Sequence, residues 1–131
     1  MPSDRQLAGA RGESLALEWY TRRGYRLVAR DWRCRQGELD LVVSIGTVLV
    51  VCEVKARSSD RFGTPVEAVT LRQQRRVRAA TAVFLRELAA RPPAIPGREL
   101  AGRSQVGHPK VVRFDVASVR GTDVEILEAA F

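Results

Sequence analysis

A chain of 131 residues with 45% hydrophobic content can bury one core and is too short for two ordinary domains, so a single domain over residues 1–131 is expected. No apolar run approaches bilayer-spanning length and residues 1–18 lack a secretory pattern, which predicts a cytoplasmic protein with no membrane partner. A formal charge of +7 favours polyanionic partners, while a single histidine, His108, argues against a closed zinc site.

The first predicted element is a helix from Asp4 to Arg23, capped by Ser3 or Asp4 and stopped by Gly24. Helical spacing gathers Ala8, Leu15, Ala16, Leu17, Trp19 and Tyr20 on one broad apolar face, with Arg11, Ser14, Glu18 and Arg22 opposite. Glu13 falls inside the apolar face, where a carboxylate is either paired or placed for a purpose. Tyr25 to Asp31 has the content of a strand, followed by a basic turn over Trp32 to Gly37.

Two further strands, Leu39 to Val43 and Val48 to Val54, flank the connection Ser44 to Thr47. Gly46 suits the first central position of a type II′ turn, which pairs Ile45 with Val48 and therefore Asp40 with Glu53. Both faces of the second of these strands are apolar, so it is expected to lie centrally in a covered sheet, with Cys52 as a buried thiol. Beyond the polar loop at 57–63, two capping-box signals, at Thr64 and Thr70, predict a short helical turn and then a helix to about Ala90. The long helix is expected to bury Val77, Ala80, Thr81, Phe84 and Leu88, with Gln73 and Gln74 flanking that stripe. A Pro/Gly/Arg/Ser-rich stretch at 92–109 reads as a flexible loop, and Val111 to Val119 and Val124 to Ala129 supply the last strands.

Chemistry concentrates in Gly37-Glu38-Leu39-Asp40 and Glu53-Val54-Lys55. Strand alternation puts Glu53 and Lys55 on one face, and the two-residue turn brings Asp40 beside Glu53; a three-residue turn would put Asp40 on the other face. Opposed carboxylates repel unless a proton or cation relieves them, and Mg²⁺ or Mn²⁺ does so through oxygen ligands, here Asp40, Glu53 and the backbone carbonyl of Val54. Lys55 would position a water and stabilise developing negative charge. Only Lys55 and Lys110 are lysines, so a lysine at this position stands out. The plain alternative is a Glu-Lys ion pair at a strand end.

These residues carry a resemblance. Gly37-Glu38-Leu39-Asp40, Glu53-Val54-Lys55-Ala56-Arg57-Ser58 and Arg61-Phe62-Gly63 through Arg76 resemble the YraN family of small bacterial proteins. That family is similar to archaeal Holliday junction resolvases and belongs to the PD-(D/E)xK nuclease superfamily. The resemblance implies a restriction-endonuclease-like α/β fold, a central mixed sheet flanked by helices. It makes Asp40 and Glu53 metal ligands, Lys55 the catalytic lysine, Glu13 an acid near the metal and Gln74 a helix residue facing the site. Leu71 and Gln73 depart from the proline and lysine often found there, which removes one phosphate contact. By analogy with resolvases that cut two strands, it also implies a homodimer.

The functional expectation is a metal-dependent endonuclease acting on DNA, branched or irregular structures included. Its alternative is a non-catalytic nucleic-acid-binding module with a nuclease-like fold, and a protein-interaction scaffold is a third. Arg33, Arg35, Arg57, Arg61, Arg72, Arg75 and Arg76 flank the motif strands and long helix and are expected to track a phosphate backbone, against the plain reading of a solvated basic face. Trp32 either stacks on a base or packs into the core.

Overall fold

The polar start of the chain forms a capped helix, α1 (Asp4–Thr21). The Ser3 hydroxyl accepts the Gln6 N–H at 3.2 Å and the Gln6 side chain accepts the Ser3 N–H at 2.9 Å, closing a capping box. The computed structural model describes residues 3–57, 69–90 and 108–131, so the segment with the expected short helical turn and nearly all of the 92–109 loop lie outside the described residues.

Five strands follow: β1 (Arg26–Cys34), β2 (Gly37–Ile45), β3 (Val48–Ala56), β4 (Val111–Arg120) and β5 (Asp123–Leu127), with α2 (Leu71–Ala90) between β3 and β4. They form one sheet in the order β1-β2-β3-β4-β5, antiparallel except for the parallel β3–β4 pair. This is the mixed α/β, restriction-endonuclease-like architecture expected, with β3 central. β3 must reach β4 in the same direction, and the chain between them carries α2, as a parallel pair requires of its connection.

The two helices cover opposite faces. Ala16 and Tyr20 of α1 pack on Leu41, Val43, Val50, Cys52 and Ala117, whereas Val77, Ala80, Phe84 and Leu88 of α2 pack on Leu39, Val42, Leu49, Val51 and Phe114. β3 is therefore apolar on both faces because each faces a helix. α2 buries the five residues its periodicity predicted, and its start is capped by Thr70, whose hydroxyl accepts the Gln73 N–H at 3.2 Å. At Gly46, φ is +56°, and the two-residue turn pairs Ile45 with Val48 as expected.

Several boundaries differ from the sequence expectation. β1 continues through Trp32 to Cys34, leaving only Arg35 and Gln36 as the turn. The alternation Trp32-Arg33-Cys34 puts its first and third side chains on the α2-side core, with Trp32 edge-on to Phe84 at 5.2 Å, so Trp32 is a packing residue. α1 ends at Thr21, short of Arg23, and Ala8 is exposed because the helix docks through its second half. β2 and β3 each extend beyond the expected limits, β2 to Gly37 and Ile45 and β3 to Ala56.

Candidate functional site

The site lies where the sheet splits. β2 and β3 pair from Ile45↔Val48 to Leu41↔Cys52 and then stop pairing, although β2 runs on to Gly37 and β3 to Ala56. Each keeps its outer neighbour: β2 stays paired with β1 as far as Cys34↔Gly37, and β3 with β4 as far as Ala56↔Val119. The result is a fork between two continuous half-sheets. Asp40 sits at its apex and its Oδ2 accepts the Val54 N–H at 2.9 Å, in place of a ladder bond.

The fork also changes which way side chains face. Residues two apart in a regular strand share a face, yet Leu39 packs on the α2 side and Leu41 on the α1 side. β1 changes face at the same level without a shift of register, since Ala29 and Trp32, three apart, both pack toward α2 and Asp31 between them has φ +49°; its register shift lies earlier, between Leu27 and Ala29. Asp40 therefore lies in the gap between the strands, not on the face that simple parity assigned it. From there its charge acts on groups from both faces, Glu53 on the α2 side and Glu13 of α1.

Burial dominates the electrostatics. Glu53 is 4% exposed, and its Oε1 has no hydrogen-bond partner among the described residues. Desolvation, then the neighbouring Asp40 charge, raises its pKa to about 8. Desolvation also raises Asp40, opposed by the Val54 N–H, the Glu53 hydrogen bond and the Lys55 charge. Glu13 is 7% exposed, its Oε2 likewise lacks a hydrogen bond, and its pKa rises to about 8 through desolvation and then the hydrogen-bonded Asp31 carboxylate. Arg30 partly offsets this from 3.6 Å while its guanidinium also donates to Ser14 Oγ at 3.1 Å.

Asp31 is a member of this cluster that sequence reasoning missed. It falls, like Asp40, between the Arg30↔Leu41 and Trp32↔Leu39 pairs of the β1–β2 register, and its carboxylate raises the pKa of Glu13. The signal available was an aspartate in an otherwise apolar and basic strand, a residue type that tolerates positive φ.

Close approach holds α1 against the fork. A Cβ on Gly12 would lie 3.3 Å from Val54 Cγ1, so a side chain larger than hydrogen would press on the strand that carries the site. Gly12 therefore fixes the depth at which the adjacent Glu13 enters.

On the α2 side the fork opens into a cleft of about 670 Å³. Arg33, Cys34, Arg35, Gly37 and Glu38 form one wall, Thr70, Arg72, Gln73, Arg76 and Val77 the other, and Glu53 contributes the buried carboxylate. Of the arginines singled out from sequence, Arg33, Arg35, Arg72 and Arg76 line this cleft. Arg33 pairs with Glu38 at 3.3 Å. Arg75 and Arg57 do not line it, Arg57 donating its backbone N–H to Val119 at 2.7 Å, and Arg61 lies outside the described residues. Gln73 reaches the cleft, whereas the Gln74 amide donates to the Val69 carbonyl at 3.1 Å. Lys55 is half-buried, and its charge lowers the pKa of both Asp40 and Glu53.

A match to the family model described as "Uncharacterised protein family UPF0102" spans residues 12–119, which includes α1 from Gly12, the fork and both cleft walls. The chain belongs to the UPF0102 family. It is 39% identical to a UPF0102 protein of Acidothermus cellulolyticus over 98% of this chain and 96% of the relative. It is 40% identical to a UPF0102 protein of Mycolicibacterium vanbaalenii over 86% of this chain and 78% of the relative. It is 47% identical to one from Symbiobacterium thermophilum over 65% of this chain and 72% of the relative. UPF0102 is the family, called YraN above, that the motif residues resemble.

Proposed function

We propose that this UPF0102 protein binds DNA in the cleft between the β1–β2 hairpin and α2, and that it is a metal-dependent endonuclease with Asp40, Glu53 and Lys55 at its centre. The observation that carries the proposal is the unpartnered Glu53 Oε1 beside Asp40, buried at an arginine-lined cleft. A buried carboxylate oxygen with no donor costs free energy that a cation or proton removes.

The donor set suits a hard divalent cation, Mg²⁺ or Mn²⁺, because it consists of the Asp40 and Glu53 carboxylate oxygens, with the backbone carbonyl of Val54 as a further candidate oxygen donor. Among the described residues no three His, Cys, Asp or Glu side chains are grouped so as to hold an ion, so an ion on Asp40 and Glu53 would need water for the rest of its shell. When bound, such an ion polarises a phosphate oxygen and makes water a better nucleophile.

The chain's own groups do the rest. Asp40, held by the Val54 N–H, is the fixed carboxylate, and Glu53 is the one that exchanges a proton for a cation. The Lys55 ammonium, beside both, orients water and stabilises charge developing on phosphate. Arg35, Arg72 and Arg76 hold the flanking phosphates. Glu13, its pKa raised to about 8, adds negative charge from the α1 side only as a cation displaces its proton.

Calorimetry with Mg²⁺ and Mn²⁺ tests the metal reading, with binding expected in the wild type and lost in Asp40→Asn and Glu53→Gln. Incubation with branched, duplex and single-stranded DNA plus Mn²⁺ tests turnover, with cleavage expected to disappear in Lys55→Ala. Cleavage unchanged in that variant sinks the assignment. The sparse two-carboxylate set favours one second reading, a DNA-binding module of this fold that does not turn over; metal-independent binding without cleavage is its signature.

A further inference from the structure

We infer that the cleft admits an unpaired DNA strand and excludes an intact duplex; this rests on the DNA-binding reading above and narrows it to a substrate class. The first ground is shape. Glu53 is 4% exposed, so a phosphate reaches it only by descending between the two walls. Those walls touch: a Cβ on Gly37 of the hairpin would lie 3.3 Å from the Arg76 carbonyl oxygen of α2. The cleft is thus a slot closed at that side. Duplex phosphates ride on a stiff convex surface whose neighbouring groups would meet the walls first. A single strand turns its phosphates inward by backbone rotation.

The second ground is chemistry. Among the described residues Arg35, Arg72 and Arg76 make no ion pair, so three guanidinium groups stand uncommitted around one slot. A guanidinium offers a fork to phosphate and a flat face to an unstacked base, and a duplex presents only the first of these partners. Thr70 and Gln73, also in the walls, carry hydroxyl and amide groups that both donate and accept hydrogen bonds. Such groups match base edges that pairing would hide. Among the described residues that line the cleft none is aromatic, and the arginines are the flat groups on which a base would stack.

The test is fluorescence anisotropy with the full chain in EDTA, where no metal-dependent cleavage occurs. Three probes of one sequence serve: a labelled strand, that strand annealed to its complement, and the duplex extended by an unpaired arm. The strand and armed duplex are expected to bind at least roughly tenfold tighter than the blunt duplex, the worth of about one stacked base. Arg72→Ala and Arg76→Ala, both exposed positions, are each expected to weaken strand binding and reduce the log–log salt slope by about 0.7. Blunt duplex binding as tightly as the strand, or strand binding and slope unchanged in both variants, overturns the inference while leaving DNA binding intact. Failure of all three probes to bind overturns the DNA-binding reading itself.

Discussion

Glu53 is charged only at a cost, and that cost has a sign in pH. Its folded pKa is raised from 4.5 to about 8, so between those values the folded chain binds protons that the unfolded chain has released. Stability is therefore greatest below about pH 4.5 for this group and declines as pH rises toward about 8. Thermal melts without metal are expected to show Tm falling through that window, and Glu53→Gln to flatten the fall. A slope identical in both proteins would show that Glu53 is not the group responsible. Metal affinity runs the other way, strengthening with pH as the ligand loses its proton. A different kind of burial governs Asp115, which is fully buried and accepts from Tyr20 Oη at 2.7 Å, the Arg113 guanidinium at 2.8 and 2.9 Å and the Ala129 N–H at 3.0 Å. The Tyr20 and Ala129 bonds join α1 and the C-terminal residues to β4, and the Arg113 bonds lie within β4 itself. Asp115→Ala strips the buried Tyr20 hydroxyl of its acceptor and leaves Arg113 with Tyr25 and the more distant Glu128 alone among the described residues, and is expected to cost about 3–5 kcal/mol in urea unfolding, against about 1 kcal/mol for Tyr20→Phe.

At the scale of elements, α1 and the fork are fitted to each other through Gly12. A bulky residue there must lift the helix from Val54 and carry Glu13 with it. Gly12→Leu is expected to lose about 1–3 kcal/mol and to weaken Mn²⁺ binding, whereas Gly12→Ala should be milder in both readouts. Much of this scale was legible in the sequence. The glycine turn at Gly46 set the β2–β3 register, and the apolar stripe of α2 named its buried side chains, because both follow from local rules of spacing. The fork was not legible. Strand parity assumes a ladder that continues, and nothing in Glu38-Leu39-Asp40 announces that pairing ends at Leu41. Asp31 was missed for the same reason, since its role depends on a local change of phase across two strands. The last residues of β1, Trp32 to Cys34, read as a turn because arginines alternate with Trp32 and Cys34, and side-chain charge hides a strand end whose inward positions are apolar.

For the whole molecule, a helix on each face of one sheet implies a single cooperative unit. Trp32 reports the α2 face, against Phe84, and Trp19 the α1 face, edge-on to Tyr20. Trp19→Phe and Trp32→Phe variants each leave one fluorescent reporter, and both are expected to unfold in the same transition as the far-UV signal. Separate midpoints would mean that the two faces melt independently. The fork has a spectroscopic consequence as well. Because the Val54 amide proton is held by a carboxylate, its nuclear magnetic resonance frequency is tied to the charge of Asp40, and the line becomes a gauge of the site's occupancy. Protonation, cation binding and the arrival of a phosphate would each move this one resonance, so the protein carries a label for its own centre that needs no substitution and no added dye.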